Sequence, residues 1–135
     1  YSNQIYSYER GKTVYSGNAT TWTGKIAVPY PSDYGYAADL SLCQERLNSY
    51  GDATCTANNW MKNIITNNGA NYGWLLTPDS GGANYAWYVH LAFSVGEEYS
   101  ASATNGVTPV LYLDSKLVIR SGSGTSSSPY QLSVN

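Results

Sequence analysis

The stretch ANYAWYVHLAFSVGEEYSA, residues 83–101, holds five aromatic rings and the chain's single histidine. Side chains along a strand point alternately to opposite faces, so a strand through residues 85–95 sorts by parity. Tyr85, Trp87, Val89, Leu91, Phe93 and Val95 fall on one face, and Asn84, Ala86, Tyr88, His90, Ala92 and Ser94 on the other. The first set is expected to be core, because full burial of such apolar side chains is worth about 1.5–3 kcal/mol each. The second set is mixed, with the amphipathic ring of Tyr88 beside His90. A turn in GEEY would then bring Glu97, Glu98 and Tyr99 to the surface near the strand's end. Asn84, Tyr88, His90, Glu97, Glu98 and Tyr99 are therefore the candidate ligand-binding residues. A second reading stands beside it, in which Tyr88 and His90 pack beneath a loop or helix.

Working outward, YGWLLTP, VTPVLYLD, KLVIR and YQLSV predict further strands, separated by Gly, Ser, Asn and Pro clusters. RSGSGTSSSPY, residues 120–130, predicts a surface hairpin loop. Upstream, SNQIYSYERG and KTVYSG suggest short strands broken at Gly11 and Gly17, and WTGKIAVPY a strand that Pro29 stops. YPSDYGYAAD predicts a structured turn. A helix is expected from Asp39 as N-cap, with Leu40, Cys43, Leu47 and Tyr50 at helical spacing and Gly51 as its stop. A second helix is expected after Cys55, capped by Thr56, with Ala57, Trp60, Met61, Ile64 and Ile65 as one apolar stripe ending at Asn68 and Gly69. Two short helices followed by an antiparallel sheet make an α+β arrangement.

The 135 residues fit one domain. Charged residues make up 12% and the net charge is −2, with cations scattered along the chain. No electrostatic footprint for nucleic acid or for a membrane surface is present. No apolar run approaches the roughly 20 residues that cross a bilayer. The 14 Tyr and 13 Gly, with abundant Ser and Asn, suit either an extracellular β-rich surface or a paratope-like binding face. The chain opens at Tyr1 without a methionine, which reads as either a processed mature form or a piece of a longer protein, the second being preferred. Cys43 and Cys55 are expected to form one disulfide in an oxidising compartment, since a metal site needs four ligands.

Chemistry finds little purchase. His90 lacks a local nucleophile motif such as G-x-S-x-G, and adjacent Glu97 and Glu98 point to opposite faces of a strand, away from a common bond. Apart from Glu97 and Glu98 the carboxylates are spread singly, so no calcium loop is expected. The expectation is a non-catalytic domain with no cofactor and no metal.

WTGKIAVPYPSDYGYAAD, residues 22–39, resembles a segment of secreted Firmicutes-type proteins, some of which begin with a type IV pilin-like anchoring helix. WLLTP, then an aromatic strand, then NGVTPVLYLDSKLVI and SGSGTSSSPYQL, resembles the carboxyl-terminal half of the same modules. These are similar to the C-type lectin-like fold, including the variable proteins of diversity-generating retroelements and the formylglycine-generating-enzyme-like superfamily. The resemblance spans about residues 22–132. It implies a single C-type lectin-like domain over residues 1–135, with Trp74 and the strand Val107 to Leu113 as scaffold and residues 79–104 as the segment that varies. It also implies an extracellular or cell-surface, adhesin-like binder of a protein or glycan, with no direct membrane contact. The alternative is the head of a pilin-like subunit, with neighbouring subunits as partners. Thr108 stands where the family's G-V-R-P has arginine, and the Glu-Pro-Asn or Gln-Pro-Asp sugar-binding signature of calcium-dependent lectins is missing. Cys43 and Cys55 do not match the paired cysteines of formylglycine chemistry.

Overall fold

The computed structural model describes residues 2–9, 23–66, 72–78, 84–100, 104–125 and 127–134. The strand expected in KTVYSG with the breaks at Gly11 and Gly17, the helix stop at Asn68 and Gly69, and the side chains of Glu97, Glu98 and Tyr99 lie outside the described residues. The architecture is mixed α+β. Short helices α1 (Ser2–Glu9), α2 (Pro31–Tyr36), α3 (Ala53–Ala57) and α4 (Lys62–Thr66), with a 3-10 turn at Leu47–Ser49, precede two antiparallel sheets. Strands β1 (Gly73–Pro78), β2 (Tyr85–Val89) and β3 (Val95–Ser100) form the first sheet in that order, and β4 (Leu117–Ser121) pairs with β5 (Gln131–Val134) in the second.

Ser2–Glu9 is a helix where a strand was expected. Ser2, Ile5 and Glu9 recur at helical spacing, and each makes a contact inward. Ser2 Oγ lies 2.9 Å from the Tyr50 hydroxyl, Ile5 packs on the core, and the Glu9 carboxylate accepts from the Ser32 amide at 3.0 Å and from its hydroxyl. The next segment, expected as a turn, is α2. Pro31 opens it with a preset φ, and the Asp33 carboxylate accepts the Tyr30 amide at 2.9 Å, as a helix start requires.

The helix expected from Asp39 does not form. The Asp39 carboxylate accepts the Ser41 amide and hydroxyl at 2.9 and 2.7 Å, which closes a turn and competes with helical bonding. Leu47 and Tyr50 are buried as the spacing predicted, yet through a 3-10 turn. The second expected helix is split in two. Asp52, not Thr56, caps α3, accepting from Thr54 and Cys55 amides at 2.8 and 3.4 Å. Asn59 then interrupts the run, donating to the Tyr34 carbonyl at 3.0 Å and accepting from the Met61 amide at 2.9 Å. The interruption rotates Trp60 outward to 67% exposure, off the expected stripe, while Met61 and Ile65 stay buried.

The Cys43–Cys55 disulfide is present and buried among these short helices. Such a bond belongs to an oxidising compartment. No helix among the described residues is long and apolar enough to cross a membrane. Residues 107–113, expected as a strand, bridge at Val110 with Ala27, where the two amide–carbonyl bonds are 2.9 and 2.7 Å, and Gly106 just before them bridges Gly73. Pro109 lacks the amide that a continuous ladder needs. Residues 24–30 likewise bridge at Ala27 instead of running as a strand. β4 and β5 pair antiparallel, as the hairpin expected through residues 120–130 requires.

Candidate functional site

The three-stranded sheet has two unlike faces. Leu75, Val89 and Val95 are buried on the helix side, and Gly73 sits so close to Ile65 that a Cβ there would collide with it. Trp87 shares the parity of Val89 and packs against this core, as predicted. The opposite face carries rings. Trp74 is the cross-strand partner of Tyr88 and Gly73 that of Val89, which brings Tyr72 opposite His90 one residue further out.

Tyr72, Tyr88 and His90 form a cluster on that second face. The Tyr72 and Tyr88 centroids are 5.4 Å apart at 86°, Tyr72 and His90 are 5.1 Å apart at 65°, and Tyr88 and His90 are 6.4 Å apart at 48°. All three are half-buried. Edge-on packing of this kind contributes roughly 0.5–1.5 kcal/mol per pair beyond area burial. Gly96 opposes Tyr88 on β3, and its missing side chain is what admits the Tyr88 ring, since a Cβ would fall within 2.7 Å of the phenol carbon and oxygen. The ring is thereby laid across the strand in one place.

The strand expected through residues 85–95 is in fact a hairpin, and its turn comes earlier than GEEY. The His90 amide donates to Ser94 O at 2.8 Å and the Phe93 amide to His90 O at 2.7 Å, closing a three-residue loop with Phe93 in the left-handed region at φ 66°. Leu91, placed in the core by parity, is exposed at this tip. Residues 97 and 98 lie within β3 instead of a turn, where together they oppose the single residue Trp87 in a bulge.

Three contacts hold the tip. The buried Tyr34 hydroxyl donates to Phe93 O at 2.8 Å, Lys62 Nζ stands 5.9 Å from the Phe93 ring centroid, and Gly51 lies against the Ala92 carbonyl. Burial raises the Tyr34 phenol above its ordinary pKa, with Tyr50 adding to it, so it stays a donor at neutral pH. His90 Nδ1 accepts the Ala92 amide at 3.0 Å, which fixes the neutral tautomer with its proton on Nε2. Nε2–H is then the ring's remaining donor.

Of the six predicted residues, Tyr88 and His90 are brought together. Asn84 is exposed just ahead of β2 and, six strand residues from His90, lies about 20 Å along the same sheet. Glu97, Glu98 and Tyr99 have their backbones in β3, Tyr99 opposite Ala86. Tyr72 was missed, although its parity with Trp74 in YGWLLTP was a readable signal. Thr108 is buried and donates to the Ile64 carbonyl at 3.2 Å, so it serves the end of α4. Rings 5–6 Å apart touch one another and leave no cage for a cation between them. What they offer is flat, rigid contact area with one imidazole donor. Among the described residues no group of three His, Cys, Asp or Glu is placed to hold a metal ion. No family model matches the chain, and neither a curated protein nor a solved structure matches it.

Proposed function

We propose that the chain is a non-catalytic binding domain of the C-type lectin-like kind, displayed outside the cell, that engages a protein or glycan through the ring-bearing face of its first sheet. The observation that carries this reading is the Tyr72, Tyr88 and His90 cluster on the face turned away from the core. Core packing already has Leu75, Val89, Val95 and Trp87 on the other side, so these rings are not needed to close it. Tyr supplies large contact area at low conformational cost, and the His90 Nε2–H and Asn84 supply polar complementarity. Glu97, Glu98 and Tyr99 have their backbones in β3 of the same sheet.

The test is binding of the labelled, oxidised domain to a panel of glycans and cell-surface proteins, with chelator in parallel. Tyr88→Ala and Tyr72→Ala are each expected to weaken a saturable, chelator-insensitive signal about tenfold or more, the size of a loss at an aromatic anchor. Trp60→Ala, on the helical side, is expected to leave it unchanged. A signal lost with Trp60 and retained without Tyr72 and Tyr88 would assign binding to the other side of the molecule.

A further inference from the structure

The β4–β5 ribbon is a second surface with a different character. Leu117 pairs with Val134 and Ile119 with Leu132, so these four side chains share one face. Ile119 is 59%, Leu132 42% and Val134 71% exposed. The two strands pack on each other, and their contacts with the other elements among the described residues are slight. A two-stranded ribbon is marginal in water, and three or more strands are needed for independent stability.

Charge distinguishes its two outer edges. β4 contains Arg120 and follows Asp114 and Lys116, whereas residues 130–135, which include all of β5, hold no charged side chain. Edge strands that must not pair are guarded by such cations, and an unguarded edge is open to pairing. Pairing two copies through β4 in the register centred on Val118 would set Arg120 against Lys116 of its mate. Pairing through β5 would leave these cations on the outermost strands.

We infer that β5 is a self-recognition strand: in a second copy of this chain β5 pairs with it antiparallel about a two-fold axis, giving one four-stranded sheet in the order β4, β5, β5, β4. A two-fold contact is self-complementary, which a single uncharged strand satisfies. With Ser133 opposite its own mate, Leu132 faces Val134 of the second copy, and apolar side chains meet on one face while Ser133 lies on the other. Within β5 the contact runs over three residues, Leu132 to Val134, and belongs to the small, transient class of interfaces, so the dimer is expected to populate above about 100 µM.

The experiment uses the oxidised chain, in which both native cysteines are committed to the disulfide. Sedimentation equilibrium from about 10 µM to about 1 mM is expected to show a monomer–dimer transition. Ser133→Cys is expected to cross-link to dimer under mild oxidation at least about tenfold faster than Val118→Cys, its cross-strand neighbour on β4, because the introduced thiols then sit roughly 5 Å apart in Cβ terms. Val134→Lys, at a highly exposed position, is expected to abolish both the transition and the cross-link gain with the circular dichroism spectrum unchanged. A monomer throughout with equal cross-linking rates overturns the inference. A dimer that survives Val134→Lys overturns it as well, by placing the contact on another face.

Discussion

Phe93 occupies a backbone region that suits glycine or asparagine, and the side chains around it make the position tenable. Its carbonyl is held by Tyr34 and its ring by Lys62. Tyr34→Phe removes the donor and leaves that carbonyl without it, which is expected to cost about 1–3 kcal/mol in urea unfolding. The phenol also sets an alkaline limit. Burial raises Tyr34 and Tyr50, with the hydrogen bond from Ser2 opposing the shift at Tyr50. A group whose folded pKa lies above its unfolded value stabilises the fold fully below that unfolded value, here 10.0, and loses the contribution as pH rises through the folded one. Stability measured against pH is thus expected to fall above pH 10, less steeply in Tyr34→Phe. The acid side has the opposite sign. Hydrogen bonds from Ser41 lower Asp39, and those from the Thr54 and Cys55 amides lower Asp52, so their contribution is present above 3.8 and is lost as pH falls below it. Replacing Asp52 by Asn is expected to flatten the acid limb of the same curve.

Among the elements, the β2–β3 hairpin is where sequence and structure part most instructively. Parity along YAWYV sorted Trp87 and Val89 from Tyr88 correctly, whereas Tyr85, placed in the core with them, is exposed at the start of β2. It failed beyond His90 because the turn is stabilised by backbone bonds and a left-handed Phe, for which the sequence offers no glycine. The helical side failed for a related reason, since Asp39 and Asn59 bond to backbone and break periods that hydrophobic spacing alone would continue. Gly96 links this element to function. Gly96→Val is expected to push the Tyr88 ring off β3, seen as loss of Tyr72–Tyr88 ring contacts by NMR, and to weaken ligand binding with it. The disulfide stands apart from that effect. Reducing Cys43–Cys55, which closes a loop of separation 12, is expected to lower stability by about 3 kcal/mol without moving the ring cluster.

For the whole molecule, the helices and the disulfide act as a base on which one sheet is mounted with its core face down and its rings up. The α+β class and the disulfide were legible from periodicity and cysteine count. The number and bounds of the helices were not, because elements of five or six residues are too short for a 3.6-residue period to repeat. The ribbon of β4 and β5 was legible as a hairpin, but its separateness from the rest is a property of tertiary packing that strand patterns do not encode.

The central claim is that the rings on β1 and β2 are a binding face. The most direct measurement is the affinity of the oxidised domain for the first glycan or surface protein to give a saturable signal, compared across Tyr72→Ala, Tyr88→Ala and Trp60→Ala. The account predicts a loss of about tenfold or more at each tyrosine with no change at Trp60. Full affinity in a folded Tyr72→Ala, Tyr88→Ala double variant would contradict it and leave those rings as packing between neighbouring subunits.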